Sequence, residues 1–317
     1  MSGKNLTIPS GRESGRQRFR RLVERNWRLY ILLLPGVVWV ILFMYAPLYG
    51  ATIAFRHFNA SLGIMNSPWA GLEYFRQFFS TRIAFDLIRN TVLLSFYSLL
   101  FGFPVPIIFA LLLNQLPGRR FRKAIQTISY APFFISNVVV VSMMMIIFAP
   151  GGGFVNVFLQ DVFGFEPILF MSRPEYFRSM FVGSGIWQTM GFSAIIYIAA
   201  LAGVSPEYHE AAIVDGASKF KRILYVDLPL IRPTIVIMFI LAIGSIMTIG
   251  WEKAFLMQSS MNLAVSEIIS TYVYKTGLLN AQFSFATAVG LFNSTVNFIL
   301  LLFANALARK YSDVSIF

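Results

Sequence analysis

The 317-residue chain is 57% hydrophobic and only 13% charged, with a mean hydropathy of +0.68, a balance that excludes an ordinary soluble domain and places the chain in a membrane. Its net charge of +12 would suit nucleic acid or an anionic surface, so the placement of the basic residues matters more than their sum. Cysteine is absent, which excludes disulfides, thiolate metal sites and a cysteine nucleophile.

Six runs are long enough to cross a bilayer, which takes about 20 apolar residues. They are 30–50, 91–113, 128–149, 179–203, 234–250 and 284–308, and none holds Asp, Glu, Lys, Arg or His. Residues 1–15, with Gly, Ser, Pro and mixed charge, read as disordered, and 16–29 as a basic surface helix leading into the first run. That run exceeds a signal-peptide core and no small-x-small site follows it, so it reads as a retained span. With the N-terminus inside, segments 1–29, 114–127, 204–233 and 309–317 hold 18 of the 26 Lys and Arg. This positive-inside bias predicts that both termini are cytoplasmic. The basic excess is then topological, the Arg-rich start lying against anionic headgroups, and a nucleic-acid partner has no separate support.

On the outside, Leu72, Phe75, Phe79, Ile83 and Leu87 recur at spacings of three or four within 69–91, an amphipathic pattern suited to the membrane face. Pro104 and Pro106 predict a kink in the second span. "PGGGF" at 150–154 reads as a flexible turn, and 155–178 as room for a short helix or strand. No short tandem repeat is visible. The expected fold is an all-α integral membrane protein with six transmembrane helices. It comprises a basic tail at 1–29, one six-span domain at 30–308 and a second tail at 309–317.

Between the fourth and fifth spans lies "EYHEAAIVDGASKFKRILYVDLPLIRP" (207–233), polar and punctuated by Gly and Pro. Ser205 and Pro206 suit the cap and first position of a helix, which runs to about Val214, where Gly216 can end it in the left-handed conformation. Ser218 can cap a second short helix that Pro229 and Pro233 stop. Ala211 and Ala212 allow a close approach, and Glu210 beside them offers a charge to a partner Arg or Lys. The segment reads as a knob for a socket, or as an ordinary loop whose charges keep it out of the membrane.

The order of its residues resembles the EAA signature of permease subunits of ABC importers: Glu210, Ala211, Ala212, Asp215, Gly216 and Ala217, then Val226, Leu228 and Pro229. "GLEYFRQFF" (71–79), "RNT" (89–91) and "TYVYKTGLLNAQFSFATAVGLFNS" (271–294) extend the likeness to sugar permeases, closest to those of complex oligosaccharides such as alginate and maltose, over nearly all the chain beyond residue 25. The resemblance implies a second permease subunit, two cytoplasmic ATP-binding cassette subunits and an extracytoplasmic solute-binding protein as partners. It also implies two coupling helices within 205–229 that dock on the ATPase, with Glu210 meeting a basic residue there. The chain would then be a permease in the bacterial cytoplasmic membrane.

The charge-free spans leave no intramembrane relay for an ion-coupled carrier, and no G-x-x-x-x-G-K-[ST] motif is present for ATP hydrolysis. A stand-alone carrier or channel for small polar solutes is the alternative. A membrane enzyme is disfavoured, since no HExxH, nucleophile elbow or paired acids appear. No catalytic, metal or cofactor site is therefore expected. Aromatic rings stack on sugars and amides bond hydroxyls, which makes Asn137, Trp187, Gln188, Tyr197, Asn293 and Asn297 candidates for a substrate path. Each also has a reading as a helix-to-helix bond or interface anchor. His57 and His209 fall on opposite sides and read as surface histidines. Trp251 reads as an interface anchor, with Glu252 and Lys253 as a secondary candidate contact for a binding protein. Residues outside the membrane give no charge bias that would choose among sugars.

Overall fold

The structure, a computed structural model, describes residues 15–311. It divides into two units, Met1–Thr52 and Ile53–Phe317. In the first, α1 (Gly15–Val40) runs into a π-helical turn at Ile41–Tyr45 and a 3-10 stretch, Ala46–Phe55, that crosses into the second unit. The basic segment 16–29 is thus the beginning of the helix that carries the first apolar run. The readings of residues 1–14 and of the tail beyond Tyr311 lie outside the described residues.

The second unit is helical, with no named strand among its described residues and a single isolated bridge, Arg56 with Trp69. After α2 (Gly63–Asn66), α3 (Glu73–Ser80) is followed by α4 (Arg82–Gly102) and α5 (Pro104–Asn114). The amphipathic face expected over 69–91 is not continuous. Thr81 is extended and resets the helical phase, so Phe78 and Leu87 are buried while Leu72, Phe79 and Ile83 stay exposed. Pro104 opens α5 as its first residue, where a missing amide costs least.

The third expected span, 128–149, is a broken element. α6 (Arg119–Tyr130) and a 3-10 turn, Ala131–Phe134, meet α7 (Asn137–Ile147) at 98°. Pro132 sits in that turn, Ile135 is extended, and Ser136 accepts the Val139 amide to start α7 afresh. α8 (Phe154–Phe163) fills the segment after the glycines, and α9 (Pro174–Ser193) with α10 (Ile195–Ala202) makes the fourth span.

α11 (Pro206–Val214) and α12 (Lys219–Arg222) follow. Contrary to expectation, Pro229 and Pro233 do not stop the second helix. A π turn at Ile223–Asp227 carries it into α13 (Leu228–Gly244), and Pro229 falls in the first turn of α13. The expected fifth span, 234–250, in turn ends early, since residues 245–250 are not helical. α14 (Trp251–Leu256), α15 (Leu263–Ser266), α16 (Ile269–Tyr274) and the long α17 (Phe283–Tyr311) complete the chain. Among the described residues, five helical stretches are long and apolar enough to cross a membrane, or six if the bent α6–α7 pair counts as one.

α13 packs on α17, α4 on α9 and α5 on α10. Among the described residues, buried apolar side chains gather in three clusters: around Leu94, Phe177 and Ile268; around Phe78, Leu87 and Val289; and around Ala110, Tyr197 and Ile231.

Candidate functional site

The segment after the fourth span is built by local chemistry. Ser205 is extended and Pro206 occupies the first helical position, although the Ser205 side chain makes no cap bond there. At the other end Gly216 has φ +72°, and the Ala217 amide donates to the Ala212 carbonyl at 2.8 Å while the Gly216 amide donates to Ile213. This is a Schellman closure, which needs a residue able to adopt a left-handed conformation. Ser218 accepts the Lys221 amide at 3.4 Å and starts α12.

The structure brings Glu210, Ala211, Ala212, Asp215, Gly216 and Ala217 together on α11 and its closing turn, whereas Pro229 lies beyond the π turn. Glu210, Ala211 and Asp215 are exposed. So are apolar side chains that the sequence reading passed over: Val214 at 87%, with Ile213, Tyr208 and Phe220. The carboxylate of Glu210 is thus set among exposed apolar groups on a short helix.

His209 is not an ordinary surface residue. Its Nε2 lies 3.2 Å from Oδ1 of Asp227, whose side chain is fully buried. The same carboxylate accepts from the Gln115 amide at 2.8 Å. His57, by contrast, is half-exposed beside Glu73 and the Tyr74 hydroxyl. Among the described residues no group of three His, Asp or Glu could hold a metal.

Gln188, Asn293 and Asn297 bond to backbone where spans break. Gln188 donates to the Ile135 carbonyl at the α6–α7 bend. Asn297 accepts the Met247 amide at 2.8 Å and donates to the Thr248 hydroxyl, while Asn293 donates to the Met247 carbonyl. Non-helical backbone at membrane depth needs such partners. The two asparagines, one turn apart on α17, thereby satisfy both backbone groups of Met247 in the non-helical stretch after Gly244. Tyr197 is buried in the third core cluster.

Asn137 donates to Glu252 Oε2 at 2.6 Å, and Trp187 is partly exposed beside Val140 and Met143. An open cleft is bounded by Thr248, Trp251, Tyr274, Asn293 and Ser294, with the Trp251 and Tyr274 rings 4.7 Å apart. The structure therefore joins Asn293 and Trp251 in one cleft and keeps Tyr197 out of it.

Lys253 is not presented to a partner, as the secondary reading of this segment had it. It is 5% exposed, and its Nζ lies 5.4 Å over the Phe181 ring with no hydrogen-bond partner among the described residues. It lies outside the candidate spans, and burial pushes its ammonium down to about 8.

Residues 102–313 match the family described as binding-protein-dependent transport system inner membrane component. The chain is similar to protein LplB of Bacillus subtilis strain 168, 41% identical over 93% of this chain and 92% of that one. It is likewise similar to the polygalacturonan/rhamnogalacturonan transport system permease protein YteP of the same organism, 40% identical over 94% and 92%. Among solved structures it resembles a chain of a bacterial ABC transporter involved in the import of the acidic polysaccharide alginate, with 37% identity, a TM-score of 0.85 and coverage of 92% and 99%. A structure of the bacterial alginate ABC transporter with alginate pentasaccharide-bound periplasmic protein gives 36%, 0.86, and 94% and 100%.

Proposed function

The chain belongs to the binding-protein-dependent transport system inner membrane components, and from that premise we propose that it is the permease subunit of an ATP-driven importer of acidic oligosaccharides. It works in the bacterial cytoplasmic membrane with a second permease subunit, two ATP-binding cassette subunits and an extracytoplasmic binding protein. The observation that carries this reading is the exposed α11 surface, Glu210 among Tyr208, Ile213 and Val214, in a chain with no ATP-binding motif of its own.

On this reading both termini are cytoplasmic, with tails at 1–29 and 309–317 flanking the domain 30–308, and 205–229 is the coupling segment. Closure of the ATPase pair displaces α11, and the bundle switches between inward- and outward-facing arrangements. The sugar passes residues drawn from Asn137, Trp187, Gln188, Tyr197, Asn293 and Asn297, some freed from their present backbone bonds as the bundle moves. The acidic class of substrate is supported by the polygalacturonan and alginate systems to which the chain is similar. A stand-alone carrier finds less support, because the expected spans hold no charge to couple an ion.

Reconstitution in proteoliposomes tests the reading. The chain alone should move no oligouronate, and uptake should require the second permease, the ATPase, the binding protein and ATP. Uptake by the isolated chain would refute it.

A further inference from the structure

α11 buries none of its residues, so packing does little to fix it to the bundle, yet it has to pass on any displacement it receives. One side chain reaches inward from it: His209, whose Nε2 stands 3.2 Å from Oδ1 of Asp227. Asp227 closes the π turn that leads into α13. Its other oxygen accepts from Gln115 at 2.8 Å, and the Asn114 amide stands 3.5 Å from Oδ1, both at the end of α5. The guanidinium of Arg122 on α6 donates in turn to the Leu116 carbonyl at 3.1 Å and reaches that of Asn114 at 3.5 Å.

Three elements, α11, the start of α13 and the end of α5, thus meet at one fully buried carboxylate, with Arg122 on α6 bracing the end of α5. A buried polar cluster of this kind is a poor stabiliser compared with apolar side chains of similar size, so its presence here asks for a role that an apolar contact cannot fill. Polar contacts at short range are directional. They hold α11, the start of α13 and the end of α5 in a fixed relation where apolar surfaces would slide.

We propose that the His209–Asp227 pair is the latch that carries movement of α11 into the membrane helices, with Gln115 as the branch to α5. His209, Asp227 and Gln115 are positioning residues, outside the surface that meets the ATPase. The proposal rests on the importer reading above, and the experiment separates the two.

The full complex in proteoliposomes, supplied with oligouronate-loaded binding protein, is assayed for sugar imported per ATP hydrolysed. His209→Leu and Asp227→Asn should each lower that ratio about tenfold, within the usual range of coupling between sites, while hydrolysis and the yield of assembled complex stay near wild type. The double variant should be no worse than the poorer single one. His209→Gln, which keeps a donor at similar reach, should restore most of the ratio. An unchanged ratio in both single variants would overturn the proposal. Loss of assembly in their place would also overturn it, making the pair a folding element. If the wild-type complex fails to import with ATP, the importer reading itself falls.

Discussion

Replacing Lys253 with Met tests how the core of the second unit treats a buried charge. Nζ has no hydrogen-bond partner among the described residues and faces the Phe181 ring, while the neighbouring Glu252 is turned to Asn137. Burial lowers the ammonium from 10.5 to about 8. At about 1.4 kcal/mol per unit, that corresponds to a cost of about 3 kcal/mol for keeping the charged form in the folded chain. The unfolded chain holds this proton more tightly. The cost is therefore fully present below pH 8, and stability should rise with pH between about 8 and 10.5, levelling off above. Lys253→Met keeps the volume and removes the charge. It should raise the unfolding temperature at pH 7 and flatten that rise. Thermal unfolding of the purified chain in nanodiscs across this pH range measures both effects. A wild-type profile flat from pH 8 to 10.5, with the Met variant less stable at pH 7, would show that the amine has a partner and would refute the reasoning.

Gly216→Pro removes the left-handed closure of α11, and Glu210→Arg inverts the charge on its exposed face; both should insert normally yet uncouple uptake from ATP hydrolysis, and normal transport in both would count against α11 as the docking element. Asn297→Leu orphans the buried Met247 amide, a loss of about 1–3 kcal/mol that should appear as a lower unfolding temperature. Unchanged stability with transport abolished would instead put Asn297 in the substrate path. At Gly191 an added Cβ would overlap the Ser129 carbonyl, so Gly191→Ala should destabilise the packing of α6 on α9 by about 1–3 kcal/mol, and an unperturbed melting curve would show that α6 moves freely there.

Local features of the sequence specify much of this protein. The apolar runs require helices, because a membrane leaves backbone groups no other partner. α11 was legible to its ends, since Pro206 suits a first helical position and Gly216 a left-handed closure whatever lies around them. The exposed apolar side chains around Glu210 were not legible in the same way, because nothing in the local pattern says that α11 buries none of its residues. The prolines at 229 and 233 misled because a π turn, absent from any short-range signal, carries the helix through them.

Tertiary structure decided where the spans break and what holds the breaks. In the non-helical stretch 245–250, Asn293 and Asn297 on another helix take both backbone groups of Met247, and Gln188 takes the Ile135 carbonyl at the α6–α7 bend. Lys253 looked exposed in sequence and is buried, because α9 packs against it. The Asp227 carboxylate draws its partners from Gln115, more than a hundred residues earlier, and from His209 on a helix that is otherwise exposed. The ends of α11 needed only the residues beside them, whereas each of these features depends on hydrogen bonds or burial supplied by a remote helix, and the spacing of neighbouring residues carries no signal of those.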